Sequence, residues 1–358
     1  MCRLTVLSHV GIAGEPGAWL AKNRVAEVVE QLRLRGWRVT LVAPRSAPQP
    51  FLTHPLDANL RIVPTDSPIG TVSALLHAEA VLVFGPSLRS YLATALLGKR
   101  VTLYVGNAWA LQTGYPSWRL WLERLALRRA RNVIAAGDAV TDHCARWSGD
   151  VTACVPLVPT EVASRIIAMS APPKAGGIRV LFVGSMSEAK GVPAVLEAAE
   201  ARPDVHFRLI GAGNRDEGPA LRARAAHLPN VDLRDYAEWD DLRSAYEWAS
   251  VLLLPSRVEG FPRVAYEATA FGAALVVAPV GGIPHRLAHR RDALFVRPND
   301  AGDVVAAIDE LSGSEELRAE LVANAARSLA TVFVKASAAD QFDHKLRDRR
   351  KTSRDGRA

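Results

Sequence analysis

Two glutamates, Glu259 and Glu267, stand eight positions apart in the stretch PSRVEGFPRVAYEA (residues 255–268). The turn SRVEG follows the apolar run VLLL, and Pro262 takes the first position of a predicted helix, where proline is favoured. Phe261 precedes it and offers no side-chain oxygen to the free N–H groups of the helix start. An uncapped helix start at the carboxyl end of a parallel strand is typical of an anion site.

Carboxylates beside such a turn accept hydrogen bonds from hydroxyl groups and repel phosphates. Gly260, between them, lets the oxygens of a ligand approach the backbone closely. The two carboxylates and the turn between them therefore suit a ligand whose phosphates lie between two sets of hydroxyl groups, as in a nucleotide-sugar. Glu259 would face the sugar and Glu267 the ribose. The alternative is an ordinary strand–turn–helix in which Glu267 is solvated or salt-bridged.

Two other predicted strand ends carry glycines. In LFVGSMSEAKG (181–191), Gly184 ends a strand and Lys190 precedes the next helix, where it would reach a diphosphate as a point charge. A solvated lysine is the alternative. In LIGAGN (209–214) a predicted strand again ends in a turn that contains glycine. The alternative interpretation is a tight strand–helix connection that binds no ligand.

Short apolar runs alternate with helical patterns along the whole chain, which predicts parallel sheets of the α/β class. A length of 358 residues favours two domains. Strands are predicted at 3–8, 38–42, 80–84, 100–105, 132–135, 178–183, 205–210, 251–254, 274–278 and 293–296. Helices are predicted at 17–35, 86–97, 116–131, 137–147, 191–202, 217–227, 239–249, 262–271, 302–312 and 333–347.

Prolines and glycines concentrated in residues 156–177 indicate a linker between two doubly wound domains. Ligands bind such folds at the carboxyl ends of the strands. The predicted division is an N-terminal domain at 1–158, a linker at 159–177, a C-terminal domain at 178–330, a helical segment at 331–347 and a disordered basic tail at 348–358.

Gly184 with Lys190-Gly191, LIGAG, and the stretch AYEWASVLLLPSRVEGFPRVAYEATAFGAALVVAPVGGIPH resemble the family 4 retaining glycosyltransferases of the GT-B fold. The similarity is dense over 178–300 and looser over the N-terminal half. Glu259 and Glu267 meet the E-x7-E signature of the family. The resemblance implies two Rossmann-like domains facing each other across a cleft, the acceptor-side domain at 1–158 and the nucleotide-sugar-binding domain at 178–330. It also implies that the helix of the segment 331–347 packs back on the N-terminal domain. It also implies transfer of a hexose-type sugar from a nucleoside-diphosphate sugar, with UDP- or GDP-sugars favoured, and with retention of configuration.

The resemblance also implies roles for single residues. Glu259 would contact the transferred sugar, and Glu267 would hold the ribose. Lys190 would neutralise the diphosphate together with the helix dipole. The remaining positions implied at the donor sugar and phosphates are Gly14, Gly184, Ser185, Gly260, Phe261 and Pro262. No cofactor and no obligatory metal are expected, because the nucleotide-sugar is a substrate.

The N-terminal half departs from the family at the acceptor side. The glycine-rich loop VGIAGEPG, which includes Gly14, occupies the expected place after the first strand. Many members carry a histidine where Val105 stands here, and many carry an arginine at Ser185. His9, at the end of the first strand, is the candidate substitute for the histidine; the alternative is a capping or packing role.

The stretch WRLWLERLALRRAR (118–131) is a predicted basic amphipathic helix. Trp118, Trp121, Leu122 and Leu125 are predicted on one face, with arginines elsewhere. Such a helix suits an anionic membrane surface. The alternative is a helix that covers the N-terminal sheet and turns a charged face outward.

Composition limits the remaining possibilities. Residues 1–150 hold 17 Lys and Arg against 10 Asp and Glu, but no aromatic-interleaved basic motif indicates nucleic acid. Three scattered cysteines and the lack of a long apolar run favour a cytoplasmic protein, peripheral at most to the inner membrane face. Besides the enzyme, a catalytically weak GT-B homologue acting as a partner subunit of a glycosylation complex stays open, as does a sugar-nucleotide epimerase. The acceptor is not identified.

Overall fold

The computed structural model describes most of the chain, and the statements below concern that part. The described residues are 2–8, 24–43, 59–65, 67–85, 87–106, 115–154, 156, 158–170, 174, 176–211, 217–235, 239–260, 262–333 and 338–348. Contacts divide the chain into two units, Met1–Leu157 together with Ala336–Ala358, and Val158–Lys335.

The first unit is built on a parallel sheet of seven strands in the order β3-β2-β1-β4-β5-β6-β7. The chain order reverses between β1 and β4, which is the topological switch of a doubly wound sheet. The strands are β1 (Arg3–Leu7), β2 (Arg38–Ala43), β3 (Leu60–Pro64), β4 (Ala80–Gly85), β5 (Val101–Val105), β6 (Asn132–Ala136) and β7 (Val151–Cys154).

Helices cover both faces of this sheet. The described helices of the unit are α1 (Arg24–Leu34), α2 (Pro68–Leu76), α3 (Leu88–Leu97), α4 (Ser117–Arg129), α5 (Asp138–Ala145) and α13 (Ala338–Arg347). Leu32 of α1 and Phe342 of α13 share one apolar cluster. Leu75, Tyr91 and Leu122, from α2, α3 and α4, belong to the other cluster. Because the strands are buried on both faces, they read as nearly continuous apolar runs.

Helix α13 returns to the first unit after the chain has traced the second. Phe342 is fully buried, with its ring centroid 6.1 Å from that of Phe84 and 5.6 Å from that of Tyr104. The Trp37 indole N–H donates to Asp343 Oδ1 at 2.6 Å. An ion pair of 2.8 Å joins Arg35 to Asp340. These contacts make α13 a part of the first core.

The second unit contains a parallel sheet of six strands in the doubly wound order β10-β9-β8-β11-β12-β13. Its strands are β8 (Arg179–Val183), β9 (His206–Ile210), β10 (Val231–Arg234), β11 (Val251–Leu254), β12 (Ala274–Val277) and β13 (Leu294–Phe295). Its described helices are α6 (Thr160–Ala168), α7 (Val192–Ala201), α8 (Gly218–Ala226), α9 (Trp239–Trp248), α10 (Arg263–Ala270), α11 (Ala301–Gly313) and α12 (Glu315–Ala330). Two apolar clusters again fill the two sides.

The predicted fold class, α/β with two doubly wound parallel sheets, is confirmed. The segment predicted as the linker at 159–177 differs, because it contains helix α6. Val162 and Ile166 of this helix are buried in the second core, among residues of α10 and α12. Five further elements were not predicted from the sequence: the short strands β3, β7 and β10 and the helices α2 and α12. Residues 349–358 of the predicted tail lie outside the described residues.

Among the described residues, no helix combines the length and the apolar character that crossing a membrane requires.

We predict that Phe342→Ala lowers the free energy of unfolding of the first unit by about 3–5 kcal/mol, because it leaves a cavity between α13 and the sheet. Leu34→Ala, at an exposed position of α1, is the control and is expected to change it by less than about 0.5 kcal/mol. Differential scanning calorimetry of both variants measures the difference. Equal melting temperatures of the two variants would contradict the role assigned to α13.

Candidate functional site

Glycines bring the carboxyl ends of the strands in the second sheet close together. The Gly184 amide, after β8, donates to the carbonyl of Ile210 at the end of β9 at 3.0 Å. A Cβ on Gly211 would lie 1.7 Å from the Gly184 carbonyl oxygen. Glycine is therefore required where these two strand ends meet, as the stretches LFVG and LIGAG predict.

The loop that carries Lys190 lies directly against the turn after β11. Gly191 has a φ of +73°, and a Cβ there would lie 2.2 Å from the Pro255 carbonyl oxygen. The Arg257 amide donates to the carbonyl of Ala189 at 2.9 Å. Two loops that are far apart in sequence are thus fixed against each other by main-chain contacts.

The Gly281-Gly282 turn lies on the other side of the same β11 turn. Gly281 has a φ of +58°, and a Cβ there would lie 1.8 Å from the Glu259 carbonyl oxygen. The Gly282 amide donates to the Gly260 carbonyl at 2.6 Å. The main chain of Glu259 and Gly260 is therefore held between two neighbouring loops.

The structure brings together two of the predicted site residues, Lys190 and Glu259. Lys190 Nζ lies 2.8 Å from Glu259 Oε1 and 3.3 Å from the Val258 carbonyl oxygen. Ser256, which is fully buried, donates its hydroxyl to the same Oε1 at 2.8 Å. The Lys190 side chain is 31% exposed and that of Glu259 only 9%. The carboxylate is thus held in place, while the ammonium group remains within reach of solvent.

This arrangement leaves one carboxylate oxygen available to a ligand. Both contacts to the Glu259 side chain engage Oε1, and no hydrogen bond from a described residue reaches Oε2. An ionised carboxylate accepts hydrogen bonds at both oxygens. Glu259 can therefore accept from a ligand hydroxyl without losing its internal partners.

Helix α10 begins beside this pair without a side-chain cap. Pro262 occupies the N-cap position with φ −72° and ψ 120°, and no side chain of a described residue accepts from the first N–H groups of the helix. The partial positive charge of a helix start is thus left for an anion. With Lys190, it offers positive charge near the carboxylate of Glu259.

Glu267 lies further along α10 and is buried. The Tyr246 hydroxyl donates to Glu267 Oε2 at 2.6 Å. Burial, first, and then the charge of Glu267 raise the pKa of Tyr246 well above its usual value, so the phenol stays protonated and acts as a donor. The Tyr246 ring stacks on Phe271 with centroids 6.1 Å apart. The structure therefore fixes Glu267 by a contact of its own, separate from the pair of Lys190 and Glu259.

The other predicted site residues divide into described and undescribed ones. Ser185 is exposed, with its hydroxyl oxygen 3.3 Å from that of Ser187. Val105 ends β5 in the first sheet. His9, Gly14 and Phe261 lie outside the described residues.

Two residues that position the carboxylates were missed by the sequence analysis. Ser256 supports Glu259, and Tyr246 supports Glu267. Ser256 stands three residues before Glu259, so its proximity is a signal that the sequence does contain. Tyr246 lies on α9, and only the packing of α9 against α10 brings it to Glu267.

The helix predicted at 118–131 forms as α4, but its faces differ from the prediction. Trp118 and Trp121 are exposed, Leu122 is buried, and Leu125 is half-buried. The four residues lie along one side of the helix, but they are not buried together. Leu122 packs inward with Ala126 and Leu127, and the two tryptophans point outward.

In the part of the chain that the structure describes, no three His, Cys, Asp or Glu side chains converge as a metal site would require. The expectation that no metal is needed stays a prediction.

Part of the sequence matches a known family. Residues 167–328 match the family described as glycosyl transferases group 1. An uncharacterised glycosyltransferase of Methanocaldococcus jannaschii is 31% identical over 144 residues, which are 40% of this chain and 41% of that one. A D-inositol 3-phosphate glycosyltransferase of Acidothermus cellulolyticus is 35% identical over 163 residues, covering 42% and 36% of the two chains. The chain thus matches about two-fifths of the length of these curated relatives.

Comparisons of structure extend over nearly the whole chain. Sucrose-phosphate synthase of Thermosynechococcus elongatus aligns with a TM-score of 0.76 and 19% identity, covering 97% of this chain and 98% of that one. HepE of Anabaena, solved in complex with UDP and glucose, aligns with a TM-score of 0.71 and 16% identity, covering 97% and 99%. At these identities the likeness concerns the fold.

We predict that Tyr246→Phe lowers the free energy of unfolding by about 1–3 kcal/mol at neutral pH, because it leaves buried Glu267 without its donor. The native phenol keeps its proton above about pH 10, where an unfolded tyrosine loses it. Its stabilising contribution is therefore complete below about pH 10 and declines as the pH rises further. Urea unfolding at about pH 7 and pH 10.5 measures the difference in free energy of unfolding between wild type and variant, which should be smaller at the higher pH.

The double variant Tyr246→Phe/Glu267→Gln is the control for this prediction. Because it buries no charge, its loss of stability should be smaller than the sum of the two single losses. A gap that stays constant with pH would contradict the assigned role of the Tyr246 hydroxyl.

Proposed function

We propose, because the chain carries a glycosyl transferases group 1 domain and has the GT-B fold, that it is a retaining glycosyltransferase. It moves a hexose-type sugar from a nucleoside-diphosphate sugar to a glycan, lipid or small-molecule acceptor. The observation that carries the proposal is the pair of Lys190 and Glu259 at 2.8 Å beside the uncapped start of α10. Membership of family 4 within this group stays a prediction.

The donor is a nucleotide-sugar, with UDP- and GDP-sugars favoured. HepE, which has the same fold, binds UDP and glucose, and this supports a uridine donor. The free Oε2 of Glu259 accepts from a sugar hydroxyl, and Glu267 accepts from the ribose. The diphosphate lies between them, near Lys190 and the N–H groups of the helix start.

In the reaction, the bond between the anomeric carbon and the diphosphate oxygen breaks, and a bond from the same carbon to the acceptor oxygen forms on the same face of the sugar. The acceptor hydroxyl loses its proton to the departing phosphate oxygen. Negative charge grows on the diphosphate as its bond breaks, so fixed positive charge beside it stabilises the transition state. We infer that Lys190 and the helix start supply this charge and that no metal is obligatory.

We predict that Lys190→Ala lowers kcat by about 100-fold, which is the usual cost of removing one group that stabilises transition-state charge. Glu259→Gln should lower kcat/KM by at least about tenfold, because an amide oxygen accepts from the sugar hydroxyl more weakly than a carboxylate does. Release of UDP from UDP-glucose, or GDP from GDP-mannose, measures the rate, and NMR of the product's anomeric proton measures retention. Glu310→Gln, at an exposed ion pair with Arg290, is the matched control and should keep full activity.

Three outcomes would count against the proposed activity. Undiminished turnover in both site variants would refute the site. A wild-type protein that binds a nucleotide-sugar but never releases nucleotide would favour the alternative of a partner subunit in a glycosylation complex. Inversion at the anomeric carbon would refute the retaining mechanism alone.

We also infer that the first unit contacts an anionic membrane surface. Large apolar side chains are exposed at helical spacing on α2, α3 and α4, which pack on one face of the sheet. They include Ile69, 86% exposed, Leu96, 80% exposed, and Trp121, 62% exposed. The exposed residues of this apolar face are Ile69, Val72, Leu76, Leu88, Leu92, Leu96, Trp118 and Trp121.

Charge favours lipid as the occupant of this apolar face. Helix α4 carries four arginines, and Glu123, its one acid, is buried with Oε1 at 2.7 Å from His143 Nε2. Arg124 and Arg128 are exposed, and each lies 4.8 Å from the Trp147 ring. Exposed apolar groups with arginines beside them suit an interface with anionic headgroups.

We predict that Trp118→Ser/Trp121→Ser weakens binding to vesicles of phosphatidylglycerol by at least about tenfold, because each tryptophan loses its buried area in the interface. Leu34→Ser, at an exposed apolar position on α1, is the matched control. Sedimentation with vesicles measures binding, and added salt should weaken it. Equal binding of both variants would refute the apolar face as the contact.

A further inference from the structure

A cavity lies in the first unit, at the amino edge of its sheet. It has a volume of about 480 Å³. Ala80 begins β4, Thr102 belongs to the start of β5, and Arg131 immediately precedes β6; all three line the cavity. The last turn of α13 closes it with Lys345 and Leu346. Ligands of doubly wound sheets bind at the carboxyl edge of the sheet. This cavity lies at the amino edge, so it is distinct from a ligand site at the carboxyl edge of either sheet.

The lining of this cavity is strongly cationic. Lys99, Arg100, Arg131 and Lys345 are its basic residues, and Glu79 is its one acid. A volume of this size accommodates a small organic ligand or a phosphate-bearing metabolite.

Three of these four cations have no carboxylate partner among the described residues. Lys99 donates to the Ala130 carbonyl at 3.2 Å. Arg100 donates to the carbonyls of Leu75 and Ala78. Arg131 donates to the Asp348 carbonyl at 2.5 Å. These main-chain contacts fix the side chains in place but leave their charge uncompensated.

The fourth cation, Lys345, lies 2.5 Å from Asp150. The cavity as a whole therefore gathers more positive than negative charge. Like charges gathered in one cavity repel one another. An anion in the cavity would relieve this repulsion.

The chain's own C-terminal segment is the wrong charge for this role. Residues 349–358 contain five Lys and Arg and one Asp. The occupant that matches the lining is instead a small ligand with concentrated negative charge. Guanidinium groups of arginine match the geometry of phosphate oxygens, and lysine adds a point charge.

We propose that this cavity binds a phosphate-bearing anion, either a free phosphate compound or the headgroup of an anionic lipid. This anion site is separate from the nucleotide-sugar site, because residues of the first unit alone form it. Strands of five to six residues separate the two edges of its sheet, so the cavity lies about 17–20 Å from the carboxyl edge. A ligand there occupies a second site rather than extending the first.

Titration calorimetry with inorganic pyrophosphate tests the proposal on the full chain. All variants carry Lys190→Ala, which removes the lysine of the candidate donor site. Pyrophosphate bound at the second unit then contributes less to the measured heat. In this background, Arg131→Gln and Lys99→Gln should each raise the dissociation constant about tenfold, as expected for a lost charge-assisted hydrogen bond. Lys99 is exposed and makes one hydrogen bond, so its variant tests the site even if Arg131→Gln fails to fold. Arg89→Gln removes an exposed arginine of α3 outside the cavity and should leave the constant within about twofold.

A second arm of the experiment separates the two sources of phosphate. Vesicles of phosphatidic acid in phosphatidylcholine replace pyrophosphate, and sedimentation measures binding of the same variants. Loss of pyrophosphate binding in the cavity variants supports a soluble ligand; loss of vesicle binding alone supports a lipid headgroup. If the Lys99 and Arg131 variants bind pyrophosphate and vesicles as the parent protein does, the proposal is refuted. Neither arm requires turnover, so failure here is distinct from failure of the proposed activity.

Discussion

The ion pair between Lys190 and Glu259 is the contact on which the candidate site depends. It joins a loop after β8 to the turn after β11, and close main-chain contacts at Gly191 and Gly281 hold both loops at that spacing. Partial burial of two charges costs solvation energy that the pair only partly regains. We therefore interpret the pair as a device for placing a carboxylate beside an ammonium group, more than as a source of stability.

Much of this site could be predicted from the sequence. The run VLLL at 251–254 coincides with β11, and the helix predicted at 262–271 forms at 263–270 without a cap. Such features are local, because a proline, a glycine or an apolar run acts within a few residues. The contact of Lys190 with Glu259 was not predicted, since 69 residues separate them and only the parallel order of β8 and β11 brings their loops together.

The features that the sequence analysis missed depend on distant partners. Helix α6 stands among prolines that suggest a linker, and its burial comes from α10 and α12, more than 90 residues away. Strand β10 is a four-residue edge strand with alternating exposure, a weak pattern in sequence. The exposed tryptophans of α4 and the cationic cavity also depend on distant partners. The sheet determines which face of α4 is buried and which strand starts lie side by side.

The return of α13 has a consequence for the order in which the molecule is made. During synthesis, all of Val158–Lys335 leaves the ribosome before Phe342 and Asp343 do. The second unit can therefore complete its core from a continuous segment, whereas the first exposes the site of Phe342 until α13 emerges. Contacts that must wait for a distant segment are slow to form. The first unit is thus the later of the two to mature, and it is the one that would need a chaperone while it waits.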